Sequence, residues 1–287
     1  MSKKMNSVDV EKKTADDGFP SNSLPLRHNL KLAYLFSLLI TLLTAGASIA
    51  GLLYSNYIYP TVELQQTFLP NDIVNLFIGL PILLVSMWLA WRGKLIGLLF
   101  WPGALFYGLY NYIVYLFAMP FNVMFLFYLV IVTLSIYTTI GLVASIDGVA
   151  VKQRLNGRVP ERAAGAVLAV LGSLFALRVI AEMVGSLSNQ TPIGRTELAL
   201  LVADFIISAA FIVGGVLLWR TQALGYVCGT GLLFQLSMLF IGLIIILLLQ
   251  PFLTDAPFAP VDVIVVFAMG LICFIPFALF LRGVIKS

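Results

Sequence analysis

The chain has 287 residues, of which 61% are hydrophobic and only 10% are charged, and its formal net charge is +4. Soluble domains carry charges at about a quarter of their positions, so this composition excludes a soluble enzyme and predicts a polytopic membrane protein. The apolar runs are about 20 residues long, which suits helices that cross a bilayer, whereas barrel strands are shorter and alternate. The predicted fold class is therefore all-α.

The first 29 residues mix lysines with acidic residues and show no apolar periodicity, which predicts a disordered cytoplasmic tail. We expect a first four-helix half at residues 30–146, a basic cytoplasmic loop at 147–162 and a second four-helix half at 163–287. Eight membrane-spanning helices are predicted, at residues 32–53, 73–91, 95–117, 121–144, 163–187, 198–219, 223–249 and 261–281.

Lysine and arginine residues predict the orientation, because cytoplasmic connections of membrane proteins carry an excess of them. With eight spans, the tail and the connections on its side contain 15 of the 17 basic residues. Of the other two, Arg195 falls on the opposite side and Arg178 lies inside the fifth span. We therefore expect a multi-pass protein of the cell (plasma) membrane, of prokaryotic type, with both termini cytoplasmic.

The two halves resemble each other. Chance matches also arise in apolar sequence of low complexity, but the Trp-Arg pairs end equivalent spans, which favours duplication. Because four spans separate the copies, both halves keep one orientation, as in a parallel repeat about an axis along the membrane normal. The matches at a constant offset of 128 residues are Trp91, Arg92, Gly97, Gly103, Leu105 and Phe106 with Trp219, Arg220, Gly225, Gly231, Leu233 and Phe234.

A pair of opposite charges stands in the middle of the fifth apolar run. Arg178 and Glu182 are four residues apart, so they share a helix face within ion-pairing reach. A charge at the centre of a span costs roughly 2.5 to 3.5 kcal/mol on insertion scales, so such residues usually face a bundle interior or a water-filled cavity. Asp204, several residues inside the sixth span, is a further acidic residue that a helix cap does not explain.

Polar and small residues form stripes at helical spacing on four spans, and such faces are used for helix contacts because lipid offers polar groups no partner. We expect the stripes to face inward and to meet Arg178 and Glu182 in an outward-opening cavity. The stripes are Asp72, Asn75, Gly79 and Ser86; Gly103, Tyr107, Tyr110, Asn111 and Tyr115; Glu197, Asp204, Ser208 and Gly215; and Cys228, Gly231, Gln235, Met238 and Gly242.

A ligand-binding site is the resulting hypothesis, and a buried structural network that fixes the helix arrangement is an equally good alternative. Asp72 and Asp262, close to predicted helix starts, and Asn122 are interpreted as helix caps. The predicted ligand-binding residues are Arg178, Glu182, Asp204, Asn111, Tyr107 and Gln235.

Histidine and cysteine usage limits the chemistry. His28 precedes the first span, which argues against histidine-based metal and haem sites in the membrane, and Cys228 and Cys273 form no CxxC pair. No metal or cofactor is predicted. The basic residues only flank the spans, so we expect a lipid bilayer and no nucleic acid as partner.

Three classes of function stay open. Transport or binding of a small anionic or cationic solute is favoured by the repeat and by the charges inside the membrane. A non-catalytic sensor, scaffold or complex subunit is the next alternative. An enzyme acting on a lipid-like substrate ranks lower, since the sequence has no GxSxG, Ser-Lys or paired-aspartate signature. The pattern does not indicate an oligomeric state.

Overall fold

A computed structural model describes residues 24–286, and in this range all regular elements are helical and no strand occurs. The all-α prediction is therefore confirmed. The elements are α1 (Lys31–Leu53), α2 (Ser55–Ile58), α3 (Val62–Val74), a π-helical turn (Asn75–Gly79), α4 (Leu80–Trp91), α5 (Leu95–Ala118), α6 (Val123–Ser145), α7 (Gly148–Leu155), α8 (Glu161–Asn189), α9 (Arg195–Trp219), α10 (Ala223–Leu253) and α11 (Pro260–Ile285).

Among the described residues, seven helical stretches are long and apolar enough to cross a membrane. They are α1, the continuous stretch Val62–Trp91 formed by α3, the π turn and α4, and α6, α8, α9, α10 and α11. Helix α5 has 24 residues but is not one of the seven, because its tyrosines, its proline and its asparagine lower its mean hydropathy. Seven apolar helices are compatible with a multi-pass membrane protein.

Helix α5 lies at the centre of the bundle and packs against α4, α6, α9 and α10. Most of its side chains are buried. Its polar atoms find partners on α1: Trp101 Nε1 donates a hydrogen bond to Ser37 Oγ at 2.9 Å, and Tyr112 Oη donates to the Thr44 carbonyl at 3.3 Å. Low hydropathy in α5 therefore reflects packing against protein rather than exposure to water.

Two glycines allow α5 and α10 to cross in direct backbone contact. A Cβ atom at Gly103 would overlap the carbonyl group of Gly231, and one at Gly231 would lie 3.1 Å from the Gly103 nitrogen. Small residues let membrane helices approach this closely. The crossing brings the first and second halves of the chain together.

The turns that precede α5 and α10 have the same backbone geometry. Gly93 and Thr221 both have positive φ, at +74° and +53°. Gly97 and Gly225, at the start of the following helices, each lie against the backbone of the preceding helix. Three backbone hydrogen bonds at matching positions close each turn, from Arg92 to Trp88, Gly93 to Ala90 and Lys94 to Leu89, and from Arg220 to Val216, Thr221 to Leu218 and Gln222 to Leu217.

The cap interpretations have different outcomes. Asn122 caps α6, since its side chain accepts a hydrogen bond from the Met124 nitrogen at 2.9 Å. Asp262 lies in the first turn of α11 and forms no side-chain cap there. The cap interpretation of Asp72 is wrong, because α3 begins at Val62 and Asp72 lies near its other end.

The chain segment before α1 is tied to the connection between α6 and α7. Most of the predicted tail, residues 1–23, falls outside the described residues. After it, the Arg27 nitrogen donates to the Ser145 carbonyl and the Asp147 nitrogen to the Pro25 carbonyl, both at 2.8 Å. Asp147 also caps α7, which lies within the predicted basic loop and packs against α10.

Candidate functional site

Arg178 and Glu182 form the expected ion pair on α8, with Arg178 Nε 3.0 Å from Glu182 Oε1. Their side chains are 62% and 37% exposed. The expectation that the pair faces the interior of the bundle is therefore wrong. The pair lies on the surface of the protein.

The packing of α8 on α9 explains this position. A Cβ at Gly165 would lie 2.6 Å from the Gly215 carbonyl oxygen, and one at Gly172 would lie 2.8 Å from the Cβ of Phe211. This glycine face turns toward α9, and Arg178 lies on a different side of the helix. Within α8, all of which is described, Val179 is the one buried residue beyond Gly172.

Asp204 connects the charged pair to the core. This residue of α9 is half-buried and accepts a hydrogen bond from Tyr110 Oη of α5 at 3.0 Å. Arg178 and Glu182 lie in the same region and act on Asp204 through long-range electrostatics only, since the ion pair of Arg178 is with Glu182. The structure thus brings three predicted site residues together, with Tyr110 as the link to the central helix.

Tyr107 and Asn111 lie on the buried side of α5, as predicted. Asn111 Nδ2 donates to the Tyr107 carbonyl at 3.1 Å, so this amide is used within the helix. The Tyr107 ring fills space left by two glycines: a Cβ at Gly79 would be 3.5 Å from its Cε1, and one at Gly242 would be 2.8 Å from its hydroxyl. Tyr107 therefore lies between the π turn and α10.

Gln235 is the most unusual of the predicted site residues. It is 0% exposed, and among the described residues neither its Nε2 nor its Oε1 has a hydrogen-bond partner. It lies one helical turn after Gly231, as Tyr107 lies one turn after Gly103. A buried amide with both polar atoms unpaired is rare in folded proteins and calls for an explanation.

Two further buried amides lie in the helical stretch Val62–Trp91, Asn75 in the π turn and Asn71 near the end of α3. Asn75, the first residue of the turn, leaves Nδ2 without a partner among the described residues, and Asn71 leaves Oδ1 unpaired in the same way. Helical turns of this type occur frequently at functional sites. The helical stretch Val62–Trp91 is therefore irregular where it passes Tyr107.

Sequence reasoning missed the role of Asp72. Its carboxylate is 1% exposed and accepts hydrogen bonds from two tyrosines, Tyr59 Oη to Oδ2 at 2.5 Å and Tyr115 Oη to Oδ1 at 2.8 Å. Gly51 of α1 makes room, because a Cβ there would overlap Asp72 Oδ2. Two features of the sequence could have indicated this role of Asp72: Gly51 on α1 and the tyrosine stripe of α5.

Aromatic rings enclose this carboxylate. The ring of Phe68 lies 5.8 Å from that of Tyr59 and 4.6 Å from that of Tyr115, and the ring of Tyr128 lies 5.2 Å from that of Tyr115. Burial, followed by the charge of Asp72, raises the pKa of Tyr59, which lies in the connection between α1 and α3. Tyr59 therefore stays protonated and donates its hydrogen bond.

The described residues contain no group of three or more histidine, cysteine or acidic side chains that could hold a metal ion. Comparisons with protein-family models, with curated proteins and with solved structures find no match to this chain.

Proposed function

We propose that this protein binds and transports a small solute or ion through a polar interior between two parallel four-helix halves in the plasma membrane. In this proposal α5 is the eighth span and both termini are cytoplasmic. A bilayer core requires about 20 helical residues, and α5 has 24. Its central position also favours a crossing, since α5 contacts α6, α9, α10 and α11, each of which is apolar enough on its own to span.

The repeat is supported by contacts between matching residues. In a twofold arrangement the axis passes between equivalent positions, and Gly103 lies against Gly231. The matching turns around Gly93 and Thr221 give a second, independent support. Transporters with parallel repeats place their substrate sites at the interface of the halves.

Gln235 carries the proposal. It lies at that interface, one turn beyond the glycine crossing, and its amide offers one acceptor and two donor positions that the described residues do not use. An apolar side chain at this buried position would make the folded protein more stable than an amide without partners does. A polar ligand passing between the halves would use both amide atoms.

In this proposal Arg178, Glu182 and Asp204 form a second polar site, at the outer face of α8 and α9 rather than between the halves. Arg178 pairs with Glu182, while Tyr110 holds Asp204 within electrostatic range. In the proposal, Arg178 exchanges partners between the two acids, or contacts an anionic group, as the halves move.

The test is thermal stability of the purified, detergent-solubilised protein with a panel of amino acids, sugars, carboxylates, phosphate and alkali cations. A ligand that binds only the folded state raises the melting temperature. We expect one class to stabilise the wild type and the response to disappear in Gln235→Leu, whose ligand-free stability equals or exceeds that of the wild type. The control is Gln222→Leu, because Gln222 is exposed and forms no cap.

Either of two results contradicts the proposal. One is a wild type that no member of the panel stabilises. The other is Gln235→Leu that melts well below the wild type, as removal of a structural hydrogen bond would cause.

A complex subunit is the second candidate function, favoured by the exposed face of α8. Leu177, Arg178 and Ala181 lie on this face, and a Cβ at Gly185 would meet nothing within 4 Å. Charges that face lipid are costly, and a neighbouring membrane helix would cover them. Ala181→Cys tests this candidate: a disulfide-linked dimer or a crosslink to a second protein in native membranes supports it, and an uncrosslinked monomer does not.

A further inference from the structure

A groove lies between the last two turns of α6 and the first turn of α10, at the edge of the bundle where α1 begins. Its volume is about 540 Å³, within the range of about 300–1,000 Å³ that is typical of small-molecule sites. Helix α6 contributes Thr139, Ile140, Val143 and Ala144 to its walls, and α10 contributes Leu224 and Val227. The groove therefore runs between a helix of the first half of the chain and a helix of the second.

The side chains around the groove are mostly apolar, and Arg27 and Thr139 are the polar ones. The groove opens on the outside of the bundle, since Ile140 is 62% and Leu224 is 48% exposed. Both residues belong to helices that are apolar enough to span a membrane, where the surrounding medium is as apolar as a leucine side chain. A concave apolar surface in this position fits an acyl chain.

The start of α7 and the segment before α1 bound the groove at the edge of the bundle. Gly148, the first residue of α7, lies against α10, because a Cβ there would be 3.2 Å from the Ala223 carbonyl oxygen. The backbone of Arg27 is held in place by its hydrogen bond to the Ser145 carbonyl at 2.8 Å. Arg27 therefore has a fixed starting point beside the groove.

Arg27 brings a positive charge that its protein partner satisfies only in part. Its Nη2 lies 3.6 Å from Asp147 Oδ1, which is longer than a hydrogen bond. That oxygen already caps α7 by accepting a hydrogen bond from the Val149 nitrogen at 3.0 Å. The Arg27 side chain is 55% exposed, and a guanidinium group has five N–H donors in a planar fork that suits a phosphate group. Arg27 is therefore available to an anionic group at the mouth of the groove.

We propose that this groove binds an anionic phospholipid, with one acyl chain along α6 and α10 and the phosphate group at Arg27. Two further exposed basic residues lie at the same edge, Lys31 at the start of α1 and Arg220 in the turn before α10. Basic residues beside membrane spans attract anionic lipids. A zwitterionic phospholipid has the same acyl chains but no net charge, so the charge of this edge selects the anionic class.

A lipid in this groove joins α6 of the first half to α10 of the second and stabilises their contact. Its binding does not depend on the proposed transport of a solute. The two proposals can therefore fail separately, since the response to lipid is measured without any solute.

The test is thermal stability of the purified full-length protein, delipidated in detergent, with phosphatidylglycerol, phosphatidylcholine or soluble glycerol phosphate. A lipid that binds only the folded state raises the melting temperature. We expect a saturable rise with phosphatidylglycerol and a much smaller rise with phosphatidylcholine. Glycerol phosphate is expected to have no effect, because a headgroup alone leaves the apolar groove empty.

Arg27→Gln tests the charged part of the site. We expect it to weaken the binding of phosphatidylglycerol severalfold, to the level of phosphatidylcholine. The matched control is Arg282→Gln, at an exposed arginine near the end of α11. This residue lies at the same edge, since a Cβ at its neighbour Gly283 would meet the Arg158 carbonyl oxygen just after α7, but it does not line the groove. Arg282→Gln is expected to respond to lipid like the wild type.

Ala144→Phe tests the apolar part, because it places a ring in the groove from an exposed position of α6. We expect the response to phosphatidylglycerol to disappear, while the stability without lipid equals or exceeds that of the wild type. Ala181→Phe, at an exposed alanine of α8, is the control and is expected to keep the response.

Three results overturn the lipid site. Equal stabilisation by phosphatidylglycerol and phosphatidylcholine means that the charge of Arg27 selects nothing. Equal stabilisation by phosphatidylglycerol and glycerol phosphate means that an anion binds without the groove. An unchanged response to phosphatidylglycerol in Arg27→Gln or in Ala144→Phe means that the lipid binds to another surface. If Ala144→Phe does not fold, Arg27→Gln decides, because its side chain is exposed.

Discussion

Gly103 of α5 lies directly against Gly231 of α10, and the two residues are 128 positions apart, the same offset at which Trp91-Arg92 recurs as Trp219-Arg220. The contact joins the two halves of the chain backbone to backbone. It also places Tyr107 and Gln235 at corresponding positions, one turn further along each helix. The solute proposal depends on this arrangement.

Gly103→Ala is expected to destabilise the protein strongly, by about 1–3 kcal/mol or more, because the new methyl group would overlap the Gly231 backbone. Gly108→Ala is the matched control in the same helix, since a Cβ there meets nothing within 4 Å. That variant should be neutral or stabilising by up to about 1 kcal/mol. Thermal unfolding in detergent measures both, and equal behaviour of the two variants would contradict the crossing.

Tyr110→Phe is expected to cost about 1–3 kcal/mol, because it removes the hydrogen bond to the Asp204 carboxylate. A double-mutant cycle with Asp204→Asn isolates this interaction, and we expect a coupling of about 1 kcal/mol between the two positions. Strictly additive losses in the cycle would show that the two side chains do not interact in the folded protein.

The ion pair of α8 predicts an unequal response to single and double substitution. Arg178→Leu leaves Glu182 without a partner in the membrane, whereas Arg178→Leu with Glu182→Leu removes both charges. We expect folded yield, measured by size-exclusion chromatography, to fall in the single variant and to recover in the double variant, because an unpaired charge in a span costs roughly 2.5 to 3.5 kcal/mol. Leu177→Ala, on the same exposed face, is the control. Equal loss in single and double variants would indicate that the pair has another structural role.

Asp147 offers a test at the edge of the bundle. Asp147→Ala removes the cap of α7 and the 3.6 Å pairing with Arg27, and we expect a loss of about 1 kcal/mol. Asp147→Asn keeps an oxygen that can cap the helix and should stay close to the wild type, since an exposed ion pair contributes little. A larger loss in the asparagine variant than in the alanine variant would contradict this assignment.

The helices could be predicted from hydropathy because each span needs a long apolar run, and those runs are separated by basic or proline-containing connections. The buried positions of Asn75, Ser86, Tyr107 and Gln235 followed from helical spacing. Spacing determines which residues share a face, but not which face packs. In α8, the face with Gly165 and Gly172 packs closely on α9. Arg178 lies on another face and is therefore exposed.

Asp72 was misinterpreted for a different reason. Glu63, Gln65 and Gln66 lower the hydropathy of the first turns of α3, so the apolar pattern placed the start of the span at residue 73. In the structure the helix begins at Val62, and Asp72 lies within it. Its tyrosine partners come from α5 and from the connection after α1. The tyrosine stripe of α5 is visible in the sequence, but the spacing within one helix does not show which acid on another helix it meets.

Water accessibility of position 235 is the measurement that tests the transport proposal most directly. Cys228 and Cys273 are replaced by alanine, a single cysteine is introduced as Gln235→Cys, and intact cells and membranes are treated with a charged, membrane-impermeant thiol reagent. Leu233→Cys, fully buried two residues away, is the control for an inaccessible core position. We expect position 235 to be labelled, and any stabilising solute to protect it, while position 233 stays unlabelled. If position 235 is as unreactive as position 233 under all conditions, no polar path passes Gln235 and the proposed function is wrong.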